Sequence, residues 1–219
     1  RFPDNFLKGS GISRITFQDV ETITYIGESF LADTKNLKDF EYNFKNIEML
    51  IGNFLKGSAV AHVSLKDVEC VSSLGKQFLV DTKNLEELEF ANFRKISRLP
   101  DMFLKHSGIR RISFANNENV NSIGTDFLRD TIQLEEVVLT GFKSLKEFPN
   151  NFLASSNAKR IVIRDAEAVV QIGEGFLADT KHLEEVELGT HLTKLAEELK
   201  KRRIGAHRFM EGSNAKKIC

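Results

Sequence analysis

Phe78-Leu79-Val80-Asp81-Thr82-Lys83-Asn84-Leu85-Glu86-Glu87-Leu88-Glu89-Phe90, continued by Phe93, Ile96, Leu99 and a further Phe at 103, is the stretch that decides the fold. Leu88-x-Phe90 is an apolar step of period two, a short strand with both side chains on one side. The steps of three that follow suit a loose or 3₁₀-like turn on the opposite side. Outward from this stretch the unit repeats. Phe6, Phe30, Phe54, Phe78, Phe103, Phe127, Phe152 and Phe176 follow one another at 24, 24, 24, 25, 24, 25 and 24 residues, and a displaced copy stands at Phe209. A fixed period of this size is the mark of a solenoid, in which each repeat buries its apolar face only against its neighbours. The Phe stripe is therefore read as core.

The punctuation fits the same unit. Pro3, Gly27, Gly52, Gly75, Pro100, Gly124, Pro149 and Gly173 precede each Phe by three, or in one copy by two. Pro suits the first turn of a short helix and Gly a tight bend, so each Phe is expected on a short helical turn pointing inward. Ser10, Thr34, Ser58, Thr82, Ser107, Thr131, Ser156, Thr180 and Ser213 follow each Phe by four. Their hydroxyls are expected to bond nearby backbone where the turn ends.

Leu85-x-x-Leu88-x-Phe90 closing at Leu99-x-x-x-Phe103 resembles a leucine-rich repeat. The Ile-Gly-x-x-Phe step at Ile26-Gly27, Ile123-Gly124 and Ile172-Gly173 resembles the BspA-like subfamily specifically. The resemblance covers about residues 1–191 and returns at Ile204-Gly205 and Phe209. It implies an α/β-type repeat solenoid: a horseshoe or arc of about eight regular repeats, with a parallel concave β-sheet and short helical or 3₁₀ turns on the convex side. The Asn usual after the strand is replaced by Val20, Phe93 or Phe142, which points to an apolar ladder. The resemblance also implies a surface or secreted interaction protein, and it alone favours an extracellular or cell-surface location.

The copies alternate. Odd ones follow Phe-Leu with Lys8-Gly9-Ser10, Lys56-Gly57-Ser58, Lys105-His106-Ser107 and Ala154-Ser155-Ser156. Even ones carry Asp33-Thr34, Asp81-Thr82, Asp130-Thr131 and Asp179-Thr180, so the unit is a pair of about 49 residues. Charge alternates as well. The residue before the apolar-x-apolar step reads Arg14, Asp39, His62, Glu87, Arg111, Glu136, Arg160, Glu185. Parallel neighbours about 4.8 Å apart would set each base between two acids, in lateral columns that fix register. The columns left for contact with a partner are Thr16, Glu41, Ser64, Glu89, Ser113, Val138, Val162 and Glu187, and just beyond them Gln18, Asn43, Lys66, Thr140 and Arg164. These vary from copy to copy on a fixed frame, which is how solenoids build binding surfaces.

After His191 the pattern breaks. Leu192, Leu195, Ala196 and Leu199 have helical spacing, with Glu197–Lys201 and Glu198–Arg202 as pairs four apart, so residues 192–203 are expected to form an amphipathic helix. Lys200-Lys201-Arg202-Arg203 is read as its solvated face. Residues 204–219 replay a degenerate repeat. The helix either caps the stack or interrupts a ladder that then resumes. The chain opens within a repeat and is read as a processed or trimmed piece whose address label is missing.

The totals exclude several classes. Formal charge is zero, which argues against a nucleic-acid or anionic-membrane surface, and no apolar run reaches a membrane span. Cys70 and Cys219 are read as free thiols. None of His62, His106, His182, His191 and His207 forms a metal-spaced pair. There is no phosphate loop and no Gly-x-Ser-x-Gly elbow. The expectation is a non-enzymatic, monomeric module without cofactor or metal that binds a partner protein through its concave sheet. Two alternatives stand beside it: the recognition arm of a larger enzyme or effector, and a structural repeat protein assembling end to end.

Overall fold

The computed structural model describes residues 1–18, 20–42, 44–65, 70–90, 94–115, 117–202, 208–215 and 217–218. Long and short strands alternate along the chain: β1 (Asp39–Tyr42), β2 (Met49–Leu50), β3 (His62–Leu65), β4 (Ser73–Leu74), β5 (Glu87–Phe90), β6 (Arg98–Leu99), β7 (Arg111–Phe114), β8 (Ser122–Ile123), β9 (Glu136–Leu139), β10 (Glu147–Phe148), β11 (Arg160–Ile163), β12 (Gln171–Ile172) and β13 (Glu185–Leu188). Helix α1 (Thr190–Arg202) and β14 (Lys217–Ile218) follow, and a 3₁₀ turn (Val20–Thr22) precedes β1. Every pairing between named strands is parallel and in register with the repeat, as in Phe40↔Val63 and Ile161↔Val186. The molecule is a parallel β-solenoid with little helix.

The core is one continuous stripe. Phe6, Phe30, Phe54, Phe78, Phe103, Phe127, Phe152, Phe176 and Phe209 stack face to face, with centroids 5.3 to 5.7 Å apart and planes within 12°. Each such pair contributes roughly 0.5–1.5 kcal/mol beyond its area burial. Inward strand residues such as Val63, Ile112 and Val137 close the other side of the stripe. Val20 and Phe142 are buried where an asparagine ladder would run, while Phe93 lies outside the described residues.

The turn that carries each Phe differs from the short helix expected. The residues before, after and three beyond it take positive φ in copy after copy, as at Asp126 (59°), Leu128 (53°) and Asp130 (58°). A helix needs consecutive right-handed residues, so this alternation excludes one. Its amides instead bond between turns: Leu128 N–H donates to Phe103 O and Asp130 N–H to Ala154 O. The glycines ahead of the Phe have a second reason to be there. A Cβ on Gly124 would lie 2.3 Å from the Asp101 nitrogen, so the approach of one turn to the next demands Gly.

The hydroxyl column behaves as expected at Thr34, Ser58, Thr82, Thr131 and Thr180, each of which donates to the carbonyl three residues back. The hydroxyls of Ser10, Ser107 and Ser156 have no such partner among the described residues. Helix α1 begins at Thr190, two residues earlier than its spacing indicates, because Thr193 N–H already reaches Gly189 O. Leu192 and Ala196 are buried. The ladder continues beyond the helix, with Phe209 on Phe176 and β14 beside β13. Ile204, Gly205, His207 and Cys219 lie outside the described residues.

Candidate functional site

The long strands form the face on which the contact columns were placed, and its geometry begins with alternation. In β1, β3 and β7 the second and fourth residues are buried and the first and third look outward. Thr16, Gln18, Glu41, Glu89, Ser113 and Arg164 are exposed, and Ser64, Val138, Thr140 and Glu187 are half-buried. Asn43 and Lys66 lie outside the described residues. Val162 departs from its expected place: it is buried, at 2% exposure. Its register partners are Val138 and Glu187. Glu187 accepts from Arg164 Nε at 2.6 Å and lies 3.7 Å from Arg160 Nη2, so an ion-pair bridge passes on both sides of the valine. Val162 is packing, and it leaves the contact set.

The lateral charge columns form unevenly. Arg160 sits between acids on both sides, donating to Glu136 at 2.7 Å and to Glu185 at 3.2 Å. The bond to Glu136, the bond to Glu185 and the nearby carboxylates outweigh desolvation, so its guanidinium is held above its usual range. Arg164 is held up likewise by its bond to Glu187. His62 Nδ1 lies 2.8 Å from Asp39, and this hydrogen bond raises the imidazole above its ordinary value. Ser64 donates to Glu89 at 2.6 Å, joining two contact positions across a strand pair.

Between β5 and β7 the columns fail. The long strands divide into a three-stranded ladder β1-β3-β5 and a five-stranded one, β7-β9-β11-β13-β14. At other joins two successive amides reach back to one carbonyl: Glu86 and Glu87 to Ala61 O, Glu135 and Glu136 to Arg110 O, Lys159 and Arg160 to Glu135 O. Among the described residues Arg110 and Arg111 make no such bond to β5. Their side chains turn the other way, to Glu135, at 3.9 and 3.3 Å. A cleft of about 480 Å³ opens at this seam. Sequence spacing carries no sign of it: the 25-residue step from Phe78 to Phe103 recurs from Phe127 to Phe152, where the ladder is intact.

Sequence reasoning also passed over an edge column at the turns. His106 bridges Asp81 and Asp130, each at 3.0 Å from a ring nitrogen. Close by, Lys105, Arg129 and Asn151 all donate to Asp126. The Asp-Thr pairs that mark the even copies are the sequence trace of this edge. Tyr42 is a different case: burial, with the charge on Cys70 adding to it, pushes its phenol far above the usual range. Its hydroxyl has no partner among the described residues, so it serves the core. Among the described residues no group of His, Cys, Asp and Glu is arranged to hold a metal ion.

The sequence matches the profile of the BspA type leucine rich repeat region in six copies, over residues 2–117 and 72–205. The chain belongs to this family. No curated protein and no solved structure matches it. The profile counts six copies where the phenylalanine recurs at eight regular positions. Leucine-rich repeats of this kind are generally protein-interaction modules and typically non-catalytic. No helix among the described residues is long and apolar enough to cross a membrane.

Proposed function

We propose that this BspA-type repeat protein is a non-catalytic binding module that engages a partner protein through its long-strand face, the concave face of the arc, as a surface or secreted interaction protein. The observation that carries the reading is the contrast between frame and face. The inward residues repeat in kind from turn to turn, whereas outward positions run Thr16, Glu41, Ser64, Glu89, Ser113 and Val138 without a common chemistry. A stacked frame holds such side chains in fixed positions, so a partner meets a preorganised surface and little ordering entropy opposes binding.

Affinity capture from host extract and extracellular matrix, with mass spectrometric identification, tests this. The double variant Glu41→Arg/Ser113→Arg alters two exposed face positions and no core contact, so its Tm should match that of the parent. The reading expects a captured protein to disappear with the variant. Capture that survives the variant unchanged would overturn the assignment of the long-strand face.

A further inference from the structure

We infer that the seam between β5 and β7 receives a basic side chain, Lys or Arg, presented by the partner protein; this rests on the long-strand face being the working face.

Three observations converge there. The first is steric. Leu88 holds the inward strand position that is buried in Val63, Ile112 and Val137, yet it is only partly buried and lines the cleft. The missing ladder leaves that stretch of core open to solvent. The second is electrostatic. The cleft is lined by the carboxylates of Glu86, Glu87, Glu89 and Glu135 and by the guanidiniums of Arg110 and Arg111. Both arginines are already drawn to Glu135. Asp39, Glu136, Glu185 and Glu187 also hold basic partners, whereas Glu86 and Glu87 make no close ion pair among the described residues and act on His62 only at longer range. The third is size: about 480 Å³ falls within the roughly 300–1,000 Å³ of ligand-sized pockets.

An apolar floor with a carboxylate rim selects for a long cationic side chain. Its methylene stem lies on Leu88 while its head remains among the acids, and the head is the one part that must stay hydrated or paired. An acidic side chain would meet the carboxylates of Glu86 and Glu87. A purely apolar one would leave them facing a dry surface. The seam thus gives the face a preferred partner chemistry, a segment with an exposed Lys or Arg at the point of closest approach.

The probe is a fluorescein-labelled peptide of alternating Arg and Ser, with the matching Glu-Ser peptide as its counterpart, read by fluorescence anisotropy on the whole chain. The Arg peptide should bind and the Glu peptide should not. Glu86→Gln/Glu87→Gln should weaken the Arg peptide about tenfold. Glu147→Gln/Glu184→Gln removes the same charge from two exposed sites away from the seam and should leave affinity within about twofold. Equal loss in both double variants would show diffuse attraction and overturn the proposal, as would unchanged binding in Glu86→Gln/Glu87→Gln. Circular dichroism secures the fold of each variant. If natural capture is lost with Glu41→Arg/Ser113→Arg and retained with Glu86→Gln/Glu87→Gln, the seam falls while the face stands.

Discussion

Leu128 stands at φ 53°, and Leu31, Leu55, Leu79, Leu104, Leu153 and Leu177 repeat it. A bulky L-residue in the left-handed region costs roughly 1–2 kcal/mol. It persists because each of these amides donates to the carbonyl of the Phe one turn back, as Leu104 does to Phe78 and Leu177 to Phe152, and because the leucine side chain is fully buried. The flanking left-handed positions mostly carry the residues that tolerate such φ: Asn5, Asn53, Asp126 and Asn151 before the Phe, and Asp33, Asp81, Asp130 and Asp179 beyond it. Met102, at φ 59°, is out of keeping with its column. Met102→Asn should therefore stabilise the protein by roughly 0.5–1 kcal/mol, since Asn adopts this conformation readily and an amide oxygen can replace the thioether that accepts from Gln77. In a chain of this size the Tm should rise by about 2–4 °C at most. An unchanged or lower Tm would mean that the column is set by something other than backbone conformation.

At the scale of the element, the turn edge between neighbouring repeats is held by charge. Burial alone would raise the Asp126 carboxyl; hydrogen bonds from Lys105, Asn151 and Arg129 outweigh it and hold the group below its ordinary value. A carboxyl depressed in the folded state adds stability above its unfolded value, near 4, and loses that stability as pH falls through the folded value. Asp126→Asn should cost roughly 1–3 kcal/mol at neutral pH and shrink the difference from the parent as the pH falls below about 4. A gap that stayed constant down to pH 2 would assign the loss to geometry rather than to charge. His62 runs in the opposite sense: its raised value makes the bond to Asp39 fully effective below about 6.5, and the benefit fades as pH rises through the folded value. Both groups mark what could be read beforehand. Strands, register and the Phe core follow from period and apolar spacing, because those depend on each copy alone. The alternation of base and acid correctly places Arg160 between Glu136 and Glu185. It fails at Arg110 and Arg111, where two acids compete and the outcome depends on three turns at once. The burial of Val162 was equally hidden, since it arises from arginines at 160 and 164 sharing one glutamate on the next strand.

Across the whole molecule the repeat interfaces are not equal, and solenoid stability is close to a sum over such interfaces. Among the described residues the join between β5 and β7 lacks its long-strand ladder, and the short strands β4 and β6 do not pair there either, but the core and the turn edge hold. Phe78 stacks on Phe103 at 5.5 Å, Leu104 N–H bonds Phe78 O, and Gly108 N–H bonds Thr82 O. The stack is therefore continuous along its core and turn edge and open between its strands. Native-state hydrogen exchange reports this directly, because the same backbone position recurs with and without its acceptor. Arg110 and Arg111 N–H should exchange ~10–100-fold faster than Glu135 and Glu136 N–H, which occupy the same places one repeat later and share the Arg110 carbonyl. Leu104 and Gly108 N–H, on the same turn as the seam but at its closed sides, should remain as protected as Leu128 and Asn157 N–H, their counterparts one and two repeats on. Fast exchange at all four positions of that turn would mean that the whole interface opens and the solenoid behaves as two bodies. Slow exchange at Arg110 and Arg111 would mean that the ladder closes in solution, and the cleft and its proposed occupant would go with it. Only the split pattern, open strand face and closed edge, describes a continuous solenoid with one slot on its long-strand face.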